Sequence, residues 1–326
     1  MFQQINVRYD IITRVGVNFV RKVDGLNNRL KKFRSKLTGY DPKQEKKFEQ
    51  MMNRYMYSIY SYIQNEQRRK VGGVSAEFEY FENVHKLITV KDLVNTAKLI
   101  RVGNGIDGGY TMAYSVNNSD GWVYSKNNIA YSLGIDKNVD WDRHMVNNGY
   151  EVYMYDHTIS GLPEENIHYH WKKLGITGGK ETIELKHLDT LIQQNGHINE
   201  EGMLLKADIE GYEWEMFDGL DDGYLNRFDQ IVLELHHLVS SGIGERSRIV
   251  RVLETLSKTH VPVHIHGNNN DIVEYCGDLV TPELLEVTYV KKDLFETQDT
   301  TRMFPTEYDF PNVASKPDIF LGKWNV

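Results

Sequence analysis

Cysteine is almost missing from this sequence: Cys276 is the only one in 326 residues. A single thiol excludes an internal disulfide framework and leaves no basis for a thiolate metal cluster, so a reducing compartment is expected. Long apolar runs are missing too. No stretch approaches the roughly eighteen apolar residues of a membrane span, and the opening Met-Phe-Gln-Gln-Ile lacks the basic start and apolar core of a secretory leader. The expectation is a soluble, cytoplasmic protein. There is no internal repeat and no low-complexity tract.

Charge is plentiful but unevenly spread. The formal net charge is −8, yet residues 1–72 hold 16 Lys and Arg against 6 Asp and Glu, a balance of +10 that leaves −18 for residues 73–326. A basic appendage of residues 1–72 is therefore joined to an acidic body of residues 73–326, the joint falling at Val71-Gly72-Gly73-Val74-Ser75. In the appendage, apolar residues recur three or four apart from Ile11 to Leu37 and again from Phe48 to Ile63, with Gly39 and Asp41-Pro42 between them, which predicts a helical hairpin. Two such helices bury little alone. The absence of Trp from this segment favours packing on protein, as in a homo-oligomer; contact with an anionic membrane surface and a plain solvated face stay open. The acidic body speaks against a nucleic-acid partner, because it would repel phosphates.

The most informative stretch is Leu204-Leu205-Lys206-Ala207-Asp208-Ile209-Glu210-Gly211-Tyr212-Glu213-Trp214-Glu215, where an apolar run stops at acids and a glycine and then turns amphipathic. It reads as a buried strand delivering carboxylates to a crevice. A second strand, Gln230 to Leu235, repeats the device and ends on Glu234, His236 and His237. Ligands of open α/β sheets sit beyond the carboxyl ends of strands, so two polar strand ends suggest one shared site; helix capping alone does not call for acids and imidazoles together.

The Asp-Ile-Glu-Gly-Tyr-Glu-Trp-Glu run followed by a strand and Glu-Leu-His resembles the FkbM-type group of S-adenosylmethionine-dependent O-methyltransferases. The upstream Arg101-Val102-Gly103-Asn104-Gly105-Ile106-Asp107-Gly108-Gly109-Tyr110 is similar to a segment that one branch of that group carries before its cofactor-binding strand. Together the matching motifs cover about residues 95 to 240. The resemblance implies a doubly wound, seven-stranded Rossmann-like methyltransferase sheet behind the hairpin, S-adenosylmethionine as cofactor, and O-methylation of a carbohydrate hydroxyl in bacterial surface-polysaccharide synthesis.

Gly103 to Gly108 also satisfies G-x-G-x-x-G, the dinucleotide fingerprint. The run that follows, Tyr110 to Val116, reads extended, and the fingerprint needs a helix there to receive the pyrophosphate, so a dehydrogenase is set aside. The glycines instead form either a plain tight turn or a loop that lets backbone approach the cofactor, with Arg101, Gly103, Asp107 and Gly108 as its contacts. Ser132, Gly134 and Asp136 occupy the place that the resemblance gives to the first glycine turn of the cofactor site, although only one glycine is present. Asp136 to Asp142 is read as the start of a helix. Asp156 closes the next strand some twenty residues on, placed to accept from ribose hydroxyls, with His157 beside it. His168 to Trp171 either flanks the adenine or belongs to the core.

At the chemical centre stand Asp208, Glu234 and His236. Methyl transfer needs an acceptor oxygen held in line and a base for its proton, which suits His236, with Glu234 orienting and Asp208 beside the transfer centre. Glu210, His237 and His266 are placed on the acceptor side, His264 and His266 each either extending the pocket or being a satisfied core histidine. The rival chemistry is a divalent cation on Asp208 and Glu234. The rival of another class is a non-catalytic scaffold that tethers partners through its hairpin. Further expected elements are a helix over Thr89 to Leu99, strands at 98–102, 128–134, 151–155, 203–207, 230–235 and 261–266, and last strands at Leu285 to Lys291 and Asp318 to Trp324.

Overall fold

The computed structural model describes residues 76–326 apart from 95–96, 105–106, 118–120, 124, 221 and 326. The hairpin expected over residues 1–72, its glycine joint and Gly105 lie outside the described residues. At the centre is a seven-stranded sheet made of β1 (Ile129–Leu133), β2 (Glu151–Tyr155), β3 (Tyr169–Lys172), β4 (Met203–Ala207), β5 (Phe228–Leu235), β6 (His260–Gly267) and β7 (Leu285–Lys291). Their order across the sheet is β6-β7-β5-β4-β1-β2-β3. β1 to β5 pair in parallel, and β7 is inserted antiparallel between β5 and β6.

Strands buried on both faces read as continuous apolar runs, and β4 and β5 are buried at every position. Their alternate residues divide between two cores. Leu205, Ile231, Leu233 and Leu133 face one cluster, which holds Phe81 and Val84 of helix α1 (Ala76–Leu87), Leu191 of α3 (Leu188–Gln194), Trp214 of α4 (Glu213–Asp218) and Leu253 of α5 (Ile243–Thr259). Leu204, Val232 and Ala130 face the other, with Trp141 and Met145 of α2 (Asp140–Asn147) and Val102, Tyr110 and Met112 of a three-stranded antiparallel sheet formed by residues 97–102, 110–117 and 121–123. The period of two that separates the cores also aims Asp208 and Glu234 to the side of Leu204 and Val232.

Three expectations are corrected. Thr89 to Leu99 is not a helix. Its Lys91–Leu93 segment pairs with Thr297–Asp299, and Ala97–Val102 pairs with Tyr110–Ser115; the helix lies earlier, at Ala76–Leu87, where Phe81 and Val84 find α5. The β-branched Thr89, Val90 and Val94 favour extended backbone, but the partner strand is some two hundred residues away. Asp318 to Trp324 is not a sheet strand either: it contributes one isolated bridge, Phe304 to Gly322. The seventh strand is Tyr169–Lys172, at the sheet edge beyond β2. The residues before Val326 instead form a strap held by side chains, since Asn269 accepts from the Val313 amide and donates to the Val313, Lys316 and Pro317 carbonyls, and Asp318 pairs with His266. Finally, α2 begins at Asp140, because Asp136 takes a left-handed φ of 46° that ends any helical run.

Candidate active site

The strand order turns back on itself at β1 and β4, the position where doubly wound sheets open a ligand crevice. The turn after β1 is tightly specified. Gly134 has φ of +76°; it donates to the Tyr155 carbonyl, while the Asp208 amide donates to the Leu133 carbonyl. Asp156, closing β2, accepts from the Ile135 and Asp136 amides at 2.9 and 3.0 Å through Oδ2, and from the Thr158 amide and hydroxyl at 2.7 and 2.6 Å through Oδ1. Burial alone would raise its pKa, but these four donors hold the carboxyl below its ordinary range.

Beyond these strand ends opens a cavity of about 540 Å³, a volume suited to a cofactor-sized molecule. Asp107, Asp136, Asp142, Asp156, Asp208 and Glu210 line it, along with the ring of Trp141 and the side chains of Ile135, Ile176 and Leu185. Lys206 is in the wall as well and donates to the Gly134 carbonyl. So acidic a lining favours a cationic ligand. Asp107, Gly108, Gly134, Asp136, Asp156, His157 and Asp208 thus line one cavity, and Glu210, expected on the acceptor side, lines it too. Arg101, Gly103 and Ser132 are not in the wall. Arg101 donates to the Asn104 carbonyl and lies over the Phe310 ring, Gly103 shapes the preceding turn, and Ser132 is buried within β1.

At the end of β4 and β5 the ligand atoms of Asp208, Glu234 and His236 lie within 4.8 Å of one another. His236 directs Nε2 towards Glu210 Oε2 at 3.6 Å, Glu234 Oε2 at 3.7 Å and Asp208 Oδ1 at 3.9 Å. On its other side Nδ1 meets Glu213 Oε1 at 2.9 Å, and the His236 carbonyl accepts from Trp214 Nε1 at 2.7 Å. Burial would lower the imidazole pKa; Glu213, Asp208 and Glu210 outweigh it and lift the value to about 9. Glu234 is pushed well above the carboxylate range by burial and by the charges of Asp208 and Glu286, with Asn268 donating to its Oε1. Tyr110 donates to Asp208 Oδ2 at 3.1 Å. Among the described residues, the non-glycine positions with positive φ are Asp136, Glu210 and His237, all at this site, the pattern of local strain concentrated where function sits.

The remaining candidates separate. His237 packs its ring on Gly211 and meets Glu283 at 3.2 Å, half-exposed beside the cluster. His266 is 1% exposed and bound between Glu286 and Asp318, so it is a core histidine and not an acceptor contact. His264 is likewise tied to Asp309. His168 and His170 share the carboxylate of Glu151 on the sheet edge and do not line the cavity. Glu213, Tyr110 and Asn268 were not singled out from the sequence. Glu213 sits within the informative motif and could have been found there, as an acid at the first position of a helix. Tyr110 and Asn268 reach the site only through tertiary packing.

A profile of the methyltransferase FkbM domain matches residues 94–275, which contain the Asp208, Glu234 and His236 cluster and every residue that lines the cavity. The comparison with curated proteins finds no match. A solved structure from Streptococcus mutans, provisionally described as a SAM-dependent methyltransferase, aligns at 9% identity with a TM-score of 0.34, over 60% of this chain and 56% of that one. The chain thus spans a little over half the length of that structure.

Proposed function

The chain belongs to the FkbM methyltransferase family, and on that premise we propose that it is an S-adenosylmethionine-dependent O-methyltransferase acting on a sugar hydroxyl in surface-polysaccharide synthesis. The observation that carries the reading is the convergence of Asp208, Glu234 and His236 at the edge of an acid-lined cavity.

The cofactor, when bound, supplies an electrophilic methyl on a sulfonium and needs no covalent help from the protein. The cavity fits such a molecule in volume and in charge. Asp156 would receive the ribose, close to the Gly134 turn; Asp107, Asp136 and Asp208 would offset the positive charge of the sulfonium and amino groups; Trp141 and Ile176 would provide apolar walls. For the acceptor, His236 Nε2 is the proton acceptor, since it points into the cluster and away from Glu213. The surrounding carboxylates lift its pKa to about 9, so the neutral ring that can accept a proton is populated as pH rises towards that value, and methyl transfer is expected to climb on the alkaline side of neutrality. Glu210 and the half-exposed His237 present hydrogen-bonding groups at the rim, a chemistry suited to a polyhydroxylated acceptor.

Methyl transfer to a panel of nucleotide sugars tests this directly. His236→Ala should lower the rate by roughly 10²–10⁴-fold while cofactor affinity stays nearly intact, the usual scale for loss of a positioned base. A second reading follows from the same three residues, which could hold a divalent cation through two carboxylates and an imidazole. Activity abolished by chelator and restored by magnesium or manganese would assign them that role. A His236→Ala enzyme that turns over normally without metal would sink both.

A further inference from the structure

The Glu213 carboxylate is fully buried at the first position of α4. Its Oε1 accepts from the Ile209 amide at 2.9 Å and meets His236 Nδ1 at 2.9 Å, while Oε2 has no hydrogen-bond partner. A carboxylate taken wholly out of water with one oxygen unmatched is expensive to keep unless it pairs with a donor of opposite charge or strong polarity. The imidazole is that partner. The local chain is bent to allow it: Glu210 at φ of 57° and Gly211 at 98° reverse the backbone so that Glu213 returns beneath the strand end it has just left. The next residue, Trp214, holds the His236 carbonyl. Ring and backbone of His236 are thus fixed by two consecutive residues of α4.

We propose that Glu213 is the positioning residue of this site, holding the proton of His236 on Nδ1 so that Nε2 alone faces the reacting groups. An imidazole has two ring nitrogens, and the hydrogen bond at one decides the task of the other. Nδ1 also lies 3.2 Å from the Glu234 carbonyl, a longer contact to a neutral acceptor; without the Glu213 carboxylate that weaker contact is left to hold the ring, and the aim of Nε2 towards Glu210, Glu234 and Asp208 is loosened. Glu213 does not line the cavity, so it acts through the histidine.

The inference rests on the reading of His236 as proton acceptor, and the two fail differently. If His236→Ala keeps its activity, that reading falls. If His236→Ala is inactive but Glu213→Ala is not, only the role of Glu213 falls. The full-length protein with Glu213→Ala is expected to lose kcat by about 10²-fold or more with cofactor Kd within threefold of wild type. Glu213→Gln, whose amide oxygen can still accept from both Ile209 and His236, should recover much of the loss. Wild-type kcat in both folded variants, or a cofactor Kd that rises in step with the fall in kcat, overturns the proposal. Should neither variant fold, ¹⁵N-resolved NMR of the wild-type His236 ring decides: a slowly exchanging, far-downfield Nδ1 proton supports it, and an Nδ1 without a proton refutes it.

Discussion

The backbone carbonyl of Asp208 stands where a side chain at Gly134 would begin: a Cβ built on residue 134 would lie 1.6 Å from it. The two strand ends that form the cavity floor therefore touch at the backbone, and only glycine permits the contact. With φ of +76° as well, Gly134→Ala combines a left-handed strain with a backbone clash. It should destabilise the protein by about 2–4 kcal/mol and remove cofactor binding. Chemical denaturation and calorimetry would show this; an unshifted unfolding midpoint would contradict the packing described.

Asp156 both shapes the Gly134 turn and faces the cavity. Asp156→Ala is expected to weaken cofactor binding at least about tenfold, roughly 1.4 kcal/mol, by titration calorimetry. Asp156→Asn should be no milder, because an amide nitrogen cannot accept from the main-chain donors at Ile135 and Asp136 or at Thr158. Unchanged affinity in folded variants would remove Asp156 from the site.

The buried His266 links stability to pH. Burial alone would lower its pKa, but Glu286 and Asp318 prevail and raise it to about 10. A raised folded-state value favours the charged ring, so this contribution is fully present below the ordinary histidine value near 6.5 and is lost as pH climbs towards 10. Unfolding midpoints measured from pH 6 to 10 should fall for the wild type and fall less for His266→Gln, which is expected to be less stable at pH 6. Parallel curves for the two proteins would rule out the linkage.

Asn269 grips the carboxy-terminal strap at Val313, Lys316 and Pro317. Asn269→Ala should lower stability by about 2–3 kcal/mol and expose residues 304–325 to limited proteolysis while β1 to β5 stay protected. Mass spectrometry of the fragments reads the outcome. Cleavage no faster than in wild type would mean that the pairs His264–Asp309 and His266–Asp318, with Asn312 donating to Glu286, suffice to hold the strap.

The basic segment of residues 1–72 is proposed to carry self-association. Removing it should reduce the mass measured by light scattering at micromolar concentration, with methyl transfer retained. A full-length chain that is already monomeric would turn attention to anionic vesicles.

Much of the candidate site could be read along the chain because each part falls at the end of an apolar run: Gly134 after β1, Asp156 after β2, Asp208 after β4, and Glu234 and His236 at the end of β5. Buried parallel strands are local signals, and the polar residue that stops each one marks the crevice. Edge elements gave no such signal. Tyr169–Lys172 alternates polar and aromatic residues as an exposed strand does, and Lys91–Leu93 becomes a strand only by meeting Thr297–Asp299. His266 and His237 are equally polar in sequence, yet one is sealed between two acids and the other stands half-exposed.

By itself, then, the sequence determined the strand ends that carry acids and imidazoles, because burial periodicity is written residue by residue, and its motifs carry the family resemblance that implied the doubly wound α/β class. Tertiary structure alone decided that Glu213 lies under His236, that Tyr110 reaches Asp208 from a different sheet, and that the strap closes over His264 and His266. Those pairings join positions up to a hundred residues apart, and no local pattern encodes which distant donor will satisfy a buried acceptor.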